Sequence, residues 1–299
     1  MPSLRALSDE GHDIEAVVTR PDRPAGRGRS SRPSPVRQAA DAEGHRVLTP
    51  ERPRDEEFIE EIRRLQPELS VVAAYGHILP REILELPHHG SVNVHASLLP
   101  ELRGAAPVNW AIIRGHERTG VTVMRMVEAM DAGPILLQRE TPIGPGDSAT
   151  ILFDRLCELG AGALIEALTL LAAGGLEEQE QDHARATYAP KLDRAAARVD
   201  WTLDAWEVAC WIRGLDAVPG AWTLLDGDPV KLYDAEAHGD APEEAAPGTV
   251  LEDPDDQGLV VAAGRGTVLV REVKPAGKRR MAAAEWLRGA GPQPGRRLE

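Results

Sequence analysis

Aromatic residues make up only 4% of this sequence, with 2 Phe, 3 Tyr and 6 Trp, so its core must be filled by Val, Leu, Ile and Ala. Cysteine is nearly absent: Cys157 and Cys210 form neither a disulfide framework nor a metal-ligand cluster. No metal is expected, and a reducing, cytoplasmic compartment fits. No long hydrophobic run exists. The longest, Ala161 to Ala173, is interrupted by Glu166 and is too short to span a bilayer, and Met1-Pro2-Ser3-Leu4-Arg5 lacks a signal-like apolar core. Basic residues fall short of acidic ones, 34 against 48, for a net charge of -14. That excludes a molecule coated in positive charge, though not a local basic patch. No Gly-x-Ser-x-Gly frame surrounds Ser97, neither cysteine has a neighbouring His, and no glycine-rich nucleotide fingerprint follows any strand-like segment.

What is present is enough for two domains. The chain has 299 residues, of which 42% are hydrophobic. Apolar strand-like runs at 14–19, 46–48, 69–74, 91–95, 121–126 and 134–139 are interleaved with helical patterns. Among the latter are Phe58, Ile59, Ile62 and Leu65 at helical spacing, and a long region from Asp147, a plausible N-cap, to Ala173. Strands alternating with helices predict an α/β fold with a doubly wound, mostly parallel sheet over residues 1–174. Residues 175–200, with Glu177, Glu178, Glu180 and Asp182, read as an acidic, solvated linker. In residues 201–299 a helix near Leu203 to Arg213 precedes short strands at 221–225, 230–234, 248–251, 259–263 and 267–273, the pattern of a small β-barrel or sandwich.

In doubly wound sheets ligands bind beyond the carboxyl ends of the strands, which points to the segments after Val72, Val94 and Met126. Asn93 and His95 are two apart on one strand and share a face. An amide donor and an imidazole there can stabilise an oxyanion or relay a proton. The bland alternative is a turn-forming Asn and a structural His. Asp131 also follows a strand and would orient His95, or else is a turn residue before Gly133. Six arginines between Arg20 and Arg37 face one acid, Asp22, and a second basic stretch runs from Arg271 to Arg280. Both suit an anionic partner such as RNA, or are merely solvated. By contrast, residues 234–256 hold nine acids and no Lys or Arg.

Taken together, Asn93-Val94-His95-Ala96-Ser97-Leu98-Leu99-Pro100, Arg103-Gly104-Ala105-Ala106-Pro107 and Met130-Asp131-Ala132-Gly133 resemble the folate-dependent formyltransferase family. The loop from Arg20 to Arg29 and the tail Lys274 to Met281 are similar to the branch of that family acting on methionyl-tRNA. The resemblance runs from about Leu4 to the C-terminus. It implies a Rossmann-like formyltransferase domain, an OB-like C-terminal barrel, and transfer of the formyl group of 10-formyltetrahydrofolate to the α-amine of methionyl-tRNA. It implies Asn93, His95 and Asp131 as catalytic residues and Ser97, Leu98, Leu99, Pro100, Tyr75 and Gly76 against the folate. Arg23, Arg27, Arg29, Lys278, Arg279 and Arg280 would meet the tRNA, and a monomer is expected. Sister enzymes acting on a sugar nucleotide or a glycinamide nucleotide share Asn, His and Asp without the two basic segments.

The sequence departs from the family pattern in lacking the strand and Gly-Thr-Pro-type loop ahead of the helix at Pro2. The expectation is that the protein starts upstream and that Met1 is an internal methionine. A chain truncated in this way would be poorly soluble or weakly active, and a tRNA-binding module without catalysis is the reading of a different class.

Overall fold

A computed structural model describes residues 1–25 and 30–299. Among them, no helix is long and apolar enough to cross a membrane. The chain divides into two compact units. One comprises Met1–Ala105, Gly120–Glu140 and Arg155–Tyr188; the other comprises Ala106–Thr119, Thr141–Asp154 and Ala189–Glu299.

The first unit begins with the alternation read from the sequence: helices Pro2–Asp9, Pro35–Glu43 and Glu56–Leu65 with strands Val17–Val18, Val47–Leu48 and Ser70–Val72 between and after them. Local chemistry sets the ends of the second helix. Ser34 Oγ accepts from the Arg37 N–H at 3.1 Å, Pro35 occupies the first turn, and Gly44 stops the helix at φ 76°. The helical spacing of Phe58, Ile59 and Ile62 turns them inward, where they pack with Leu48 and Ile83. Residues 20–35, expected as a loop, contain a short hairpin pairing Arg23–Ala25 with Ser30–Arg32.

Val17–Val18 pairs in parallel with Val47–Leu48. A separate four-stranded sheet runs in the order Ser70–Val72, Ser91–His95, Arg118–Arg125, Ile135–Pro142. Its first pair is parallel and its second antiparallel, so the sheet is mixed. The last two strands are joined by residues 126–134 alone, with Arg125 N–H donating to the Pro134 carbonyl at 2.9 Å. A parallel crossover needs about a dozen residues or more, so this short link makes a hairpin. The helix Ala149–Ala172 lies against this sheet through Gly160, where a Cβ would stand 2.9 Å from Val94 Cγ1. Its cap is Ser148, whose Oγ accepts from Ile151 N–H at 3.4 Å. Asp147, expected in that role, instead accepts from Gly144 N–H at 2.8 Å and closes the preceding turn.

The expected linker is not simply solvated. Glu177, Glu178 and Glu180 are exposed, but Gln179 forms two backbone bonds with Ile135, at 2.7 and 2.9 Å, and Gln181 is buried. Backbone pairing alone lets this exposed, acidic stretch add to a sheet edge, with Gln181 the residue that turns inward.

The second unit has one continuous apolar core. Val208, Ala209 and Ile212 from helix Ala205–Gly214, with Leu215 at its C-cap, pack on Leu232, Val261, Val268 and Val270 of an antiparallel sheet. That helix starts with a capping box, Asp204 accepting from Trp206 N–H while Glu207 accepts from Asp204 N–H. The sheet order is Trp222–Leu225, Asp228–Gly239, Thr267–Pro275, Leu259–Ala262, Val250–Leu251, with Met281–Ala282 also paired to Thr267–Pro275. The C-terminal residues join its two edges. Glu299 exchanges two 3.0 Å bonds with Leu224, while Leu298 N–H donates to the Gly248 carbonyl and Val250 N–H to the Arg296 carbonyl, both at 2.8 Å. This curled sheet is the OB-like architecture.

Candidate active site

The strand Ser91–His95 carries Asn93 and His95 to its carboxyl end, paired opposite Met124 and Thr122. The two side chains meet different surroundings. His95 is 6% exposed, with both ring nitrogens facing oxygen acceptors. Its Nε2 donates to the Leu102 carbonyl at 3.0 Å, and its Nδ1 lies 3.7 Å from Asp131 Oδ1. The carboxylate thus stands within ion-pair reach of Nδ1 but beyond hydrogen-bond distance. Asn93 is half-buried, and its carboxamide makes no hydrogen bond to a described residue.

Asp131 sits at φ 51°, a left-handed conformation that Asp tolerates in a tight turn. Asp131 is a turn residue, and the turn aims one of its carboxylate oxygens at His95. The other oxygen, Oδ2, accepts from the Gly104 N–H at 2.8 Å. Gly133, two residues on, has no room for a side chain: a Cβ there would collide with the Arg125 carbonyl.

Two residues missed as contributors hold this turn. Arg103, 5% exposed, donates to Gln181 Oε1 from Nε at 3.2 Å and from Nη2 at 2.6 Å, and also meets His183 Nδ1 at 2.9 Å. Gln181 Nε2 donates to the carbonyls of Asp131 at 2.9 Å and Gly133 at 2.7 Å. Arg103 is part of the motif quoted above, but nothing in its spacing assigns it a partner. Gln181 stands in a glutamate-rich stretch, and only the strand-like alternation of Gln179 and Gln181 marks it.

The segment Ser97–Pro100 splits by burial. Ser97 is 0% exposed and its hydroxyl donates to the Glu101 carbonyl at 2.6 Å. Leu99 is 3% exposed, clustered with Met124 and Ile135, and its N–H donates to Thr122 Oγ1. Both side chains are therefore packed inside the fold rather than at its surface. Leu98 and Pro100 are half-exposed. Tyr75 is half-buried and Gly76 exposed in the loop after Ser70–Val72, and burial pushes the Tyr75 phenol above its usual range.

The basic segments differ from their charge count. Arg27 and Arg29 lie outside the described residues, as does the side chain of Arg23. In the second stretch Arg271 is paired with Glu236, and Arg280 is tied to Asp216 at 3.0 Å and to Glu272 while stacking 4.0 Å over Tyr233. Arg280 is thus paired within the fold while its side chain stays 37% exposed. Lys278 and Arg279 are exposed at a turn through Gly277.

Comparison with known proteins places the chain in a family. Residues 2–168 match the model of the formyl transferase family and residues 191–291 that of the formyl transferase C-terminal domain. The chain belongs to the formyl transferase family. Among curated relatives, a methionyl-tRNA formyltransferase of Geobacter sulfurreducens is 44% identical, covering 99% of this chain and 92% of that protein. One from Moorella thermoacetica is 46% identical over 99% and 94%. Among solved structures, the sugar 3N-formyltransferase WlaRD shares the fold with a TM-score of 0.66 at 14% identity, covering 93% of this chain and 94% of that one. HypX from Aquifex aeolicus, solved with tetrahydrofolic acid, has a TM-score of 0.60 at 22% identity, covering 83% of this chain and 43% of that one.

Proposed function

We propose that the chain transfers the formyl group of 10-formyltetrahydrofolate to the α-amine of methionyl-tRNA. The observation that carries this reading is identity of about 44% to methionyl-tRNA formyltransferases across 99% of the chain, with both family domains present. Residues 1–174 would supply the chemistry, 175–200 the connection, and 201–299 a surface for the tRNA through Lys278 and Arg279. The folate would be held by Tyr75, Gly76, Leu98 and Pro100, and the donor set fits it: Asn93 has an uncommitted carboxamide beside an exposed loop.

The chain's own residues divide the reaction. Formyl transfer needs a donor for the oxygen that gains charge when the amine attacks the formyl carbon, and an acceptor for the proton the amine sheds. Asn93 is the free donor, whereas the Nε2–H of His95 is engaged by Leu102, so the oxyanion falls first to Asn93. The amine proton passes to His95 Nδ1, where Asp131 holds it, and from there to the folate nitrogen as its bond to the formyl carbon breaks. A buried His–Asp couple keeps this proton from bulk water.

The test is formylation of methionyl-tRNA by the purified chain with 10-formyltetrahydrofolate, alongside a dTDP-amino-sugar acceptor. Formylmethionyl-tRNA as the product supports the reading. Transfer to the sugar alone, or tRNA binding with no transfer to either acceptor, overturns it.

A further inference from the structure

We infer that Gln181 is a positioning residue for catalysis, acting through Asp131, and that Arg103 fixes it in that role. The inference rests on the reading of His95 and Asp131 given above. Gln181 belongs to the acidic stretch before Tyr188, far in sequence from the motif residues, yet it is 5% exposed. Its amide is fully used. Both N–H donors go to carbonyls of the Asp131 turn, at Asp131 and Gly133, and its oxygen takes two donors from Arg103. A primary amide is the one side chain group with this polarity, two donors on one side and one acceptor on the other.

The geometry forms a closed loop. Arg103 orients Gln181 through its side chain, Gln181 anchors the main chain of the Asp131 turn, and the Gly104 N–H next to Arg103 fixes the Asp131 carboxylate. The carboxylate oxygen left over faces His95. The Asp131 backbone is in a left-handed conformation at φ 51°, which persists only when its surroundings determine it. Gln181 supplies two of those determinants. A shift of about 1 Å in a catalytic group can cost roughly 100-fold in rate, and losing a group that orients a reacting residue costs about 10- to 100-fold.

The discriminating variant is Gln181→Glu. It keeps an acceptor for Arg103, so the buried guanidinium stays paired, and it removes both donors to the Asp131 turn. Gln181→Met, which lacks both functions, serves as a second variant. With methionyl-tRNA and 10-formyltetrahydrofolate, kcat is expected to fall about 10- to 100-fold in either variant, with KM for both substrates changed less than about threefold. In an Asp131→Ala background the same substitutions are expected to lower kcat less than about threefold, because the residue they act through is gone. A merely structural glutamine would cost the same in both backgrounds. Amide exchange at Gly104, whose N–H is bound by Asp131, gives a substrate-free reading, expected to accelerate about tenfold or more in Gln181→Glu. Unchanged kcat, equal losses in the two backgrounds, or unchanged Gly104 exchange would each overturn the inference. Absence of formyl transfer by the unsubstituted protein would sink the functional reading instead, with the exchange measurement still deciding the role of Gln181.

Discussion

The end of strand Ser91–His95 in the first unit and the main cluster of the second unit bury different kinds of side chain. Around the end of strand Ser91–His95, the first unit encloses His95, Ser97, Arg103, Thr122 and Gln181, each satisfied by a named hydrogen bond. The second unit encloses Val, Leu, Ile, Ala and two Trp residues in one cluster and keeps most of its charges on the outside. Burying polar groups costs free energy unless each is paired, so the first arrangement trades stability for defined positions. Apolar packing asks only for volume and shape, so the second gives a scaffold. The comparison teaches that substitutions should separate cleanly, lowering the rate in one unit and the stability in the other.

The largest effect expected is at the first unit. Asn93→Ala or Asp131→Asn should lower single-turnover formyl transfer by about 10²–10³-fold, or about 2.7–4 kcal/mol, with little change in melting temperature. Next, Leu298→Ala, which empties a fully buried position where the C-terminal residues bridge the sheet edges, should cost about 2–4 kcal/mol of stability by denaturant titration and leave kcat unchanged. A third contrast lies within one basic turn. Lys278→Ala or Arg279→Ala should weaken tRNA binding and reduce the slope of log K against log salt by about 1 each. Arg280→Ala should instead lower stability, because its partners are Asp216, Glu272 and Tyr233.

The smallest effect is the response to acid. Asp200 is held below the usual carboxylate range by its bonds from Thr202, Asp204 by the Trp206 N–H and Arg265, and Glu236 by Arg271. Each is depressed in the folded state, so its contribution is present above the unfolded value, near 3.8 for Asp and 4.5 for Glu, and is lost as pH falls through the folded value. All three lie in the second unit. Its melting temperature should be flat from neutral pH to about 5 and fall below about pH 4. Salt should blunt the fall at these exposed sites. Calorimetry across pH 2.5–7 checks it.

Much of this division was legible in the sequence. The period of Phe58, Ile59 and Ile62 marked an inward helix face, and the spacing of Asn93 and His95 put them at one strand end. The short strands with turn residues between them announced the curled sheet. What escaped reading depended on contacts far apart in sequence. The burial of Gln181 needs Ile135 beside Gln179, and the engagement of Arg280 needs Asp216 and Glu272 around it. Counting charges treats every arginine as available, whereas the fold had already paired Arg271 and Arg280. The burial of Ser97 and Leu99 follows the same logic: a motif names a segment, and only packing decides which of its residues face outward. The short helices Arg81–Glu85, Pro107–Ile113 and Ala283–Gly289 were missed because one or two turns give too little periodicity to detect.

The central claim is that the His95–Asp131 couple carries formyl transfer to methionyl-tRNA. Its most direct test is single-turnover transfer from 10-formyltetrahydrofolate by the unsubstituted chain and by Asp131→Asn, which keeps the size and an acceptor for Gly104 but removes the charge facing His95. The account predicts formylmethionyl-tRNA from the first and a rate lower by about 10²-fold or more from the second, at equal tRNA affinity. Equal rates from the two proteins would contradict it.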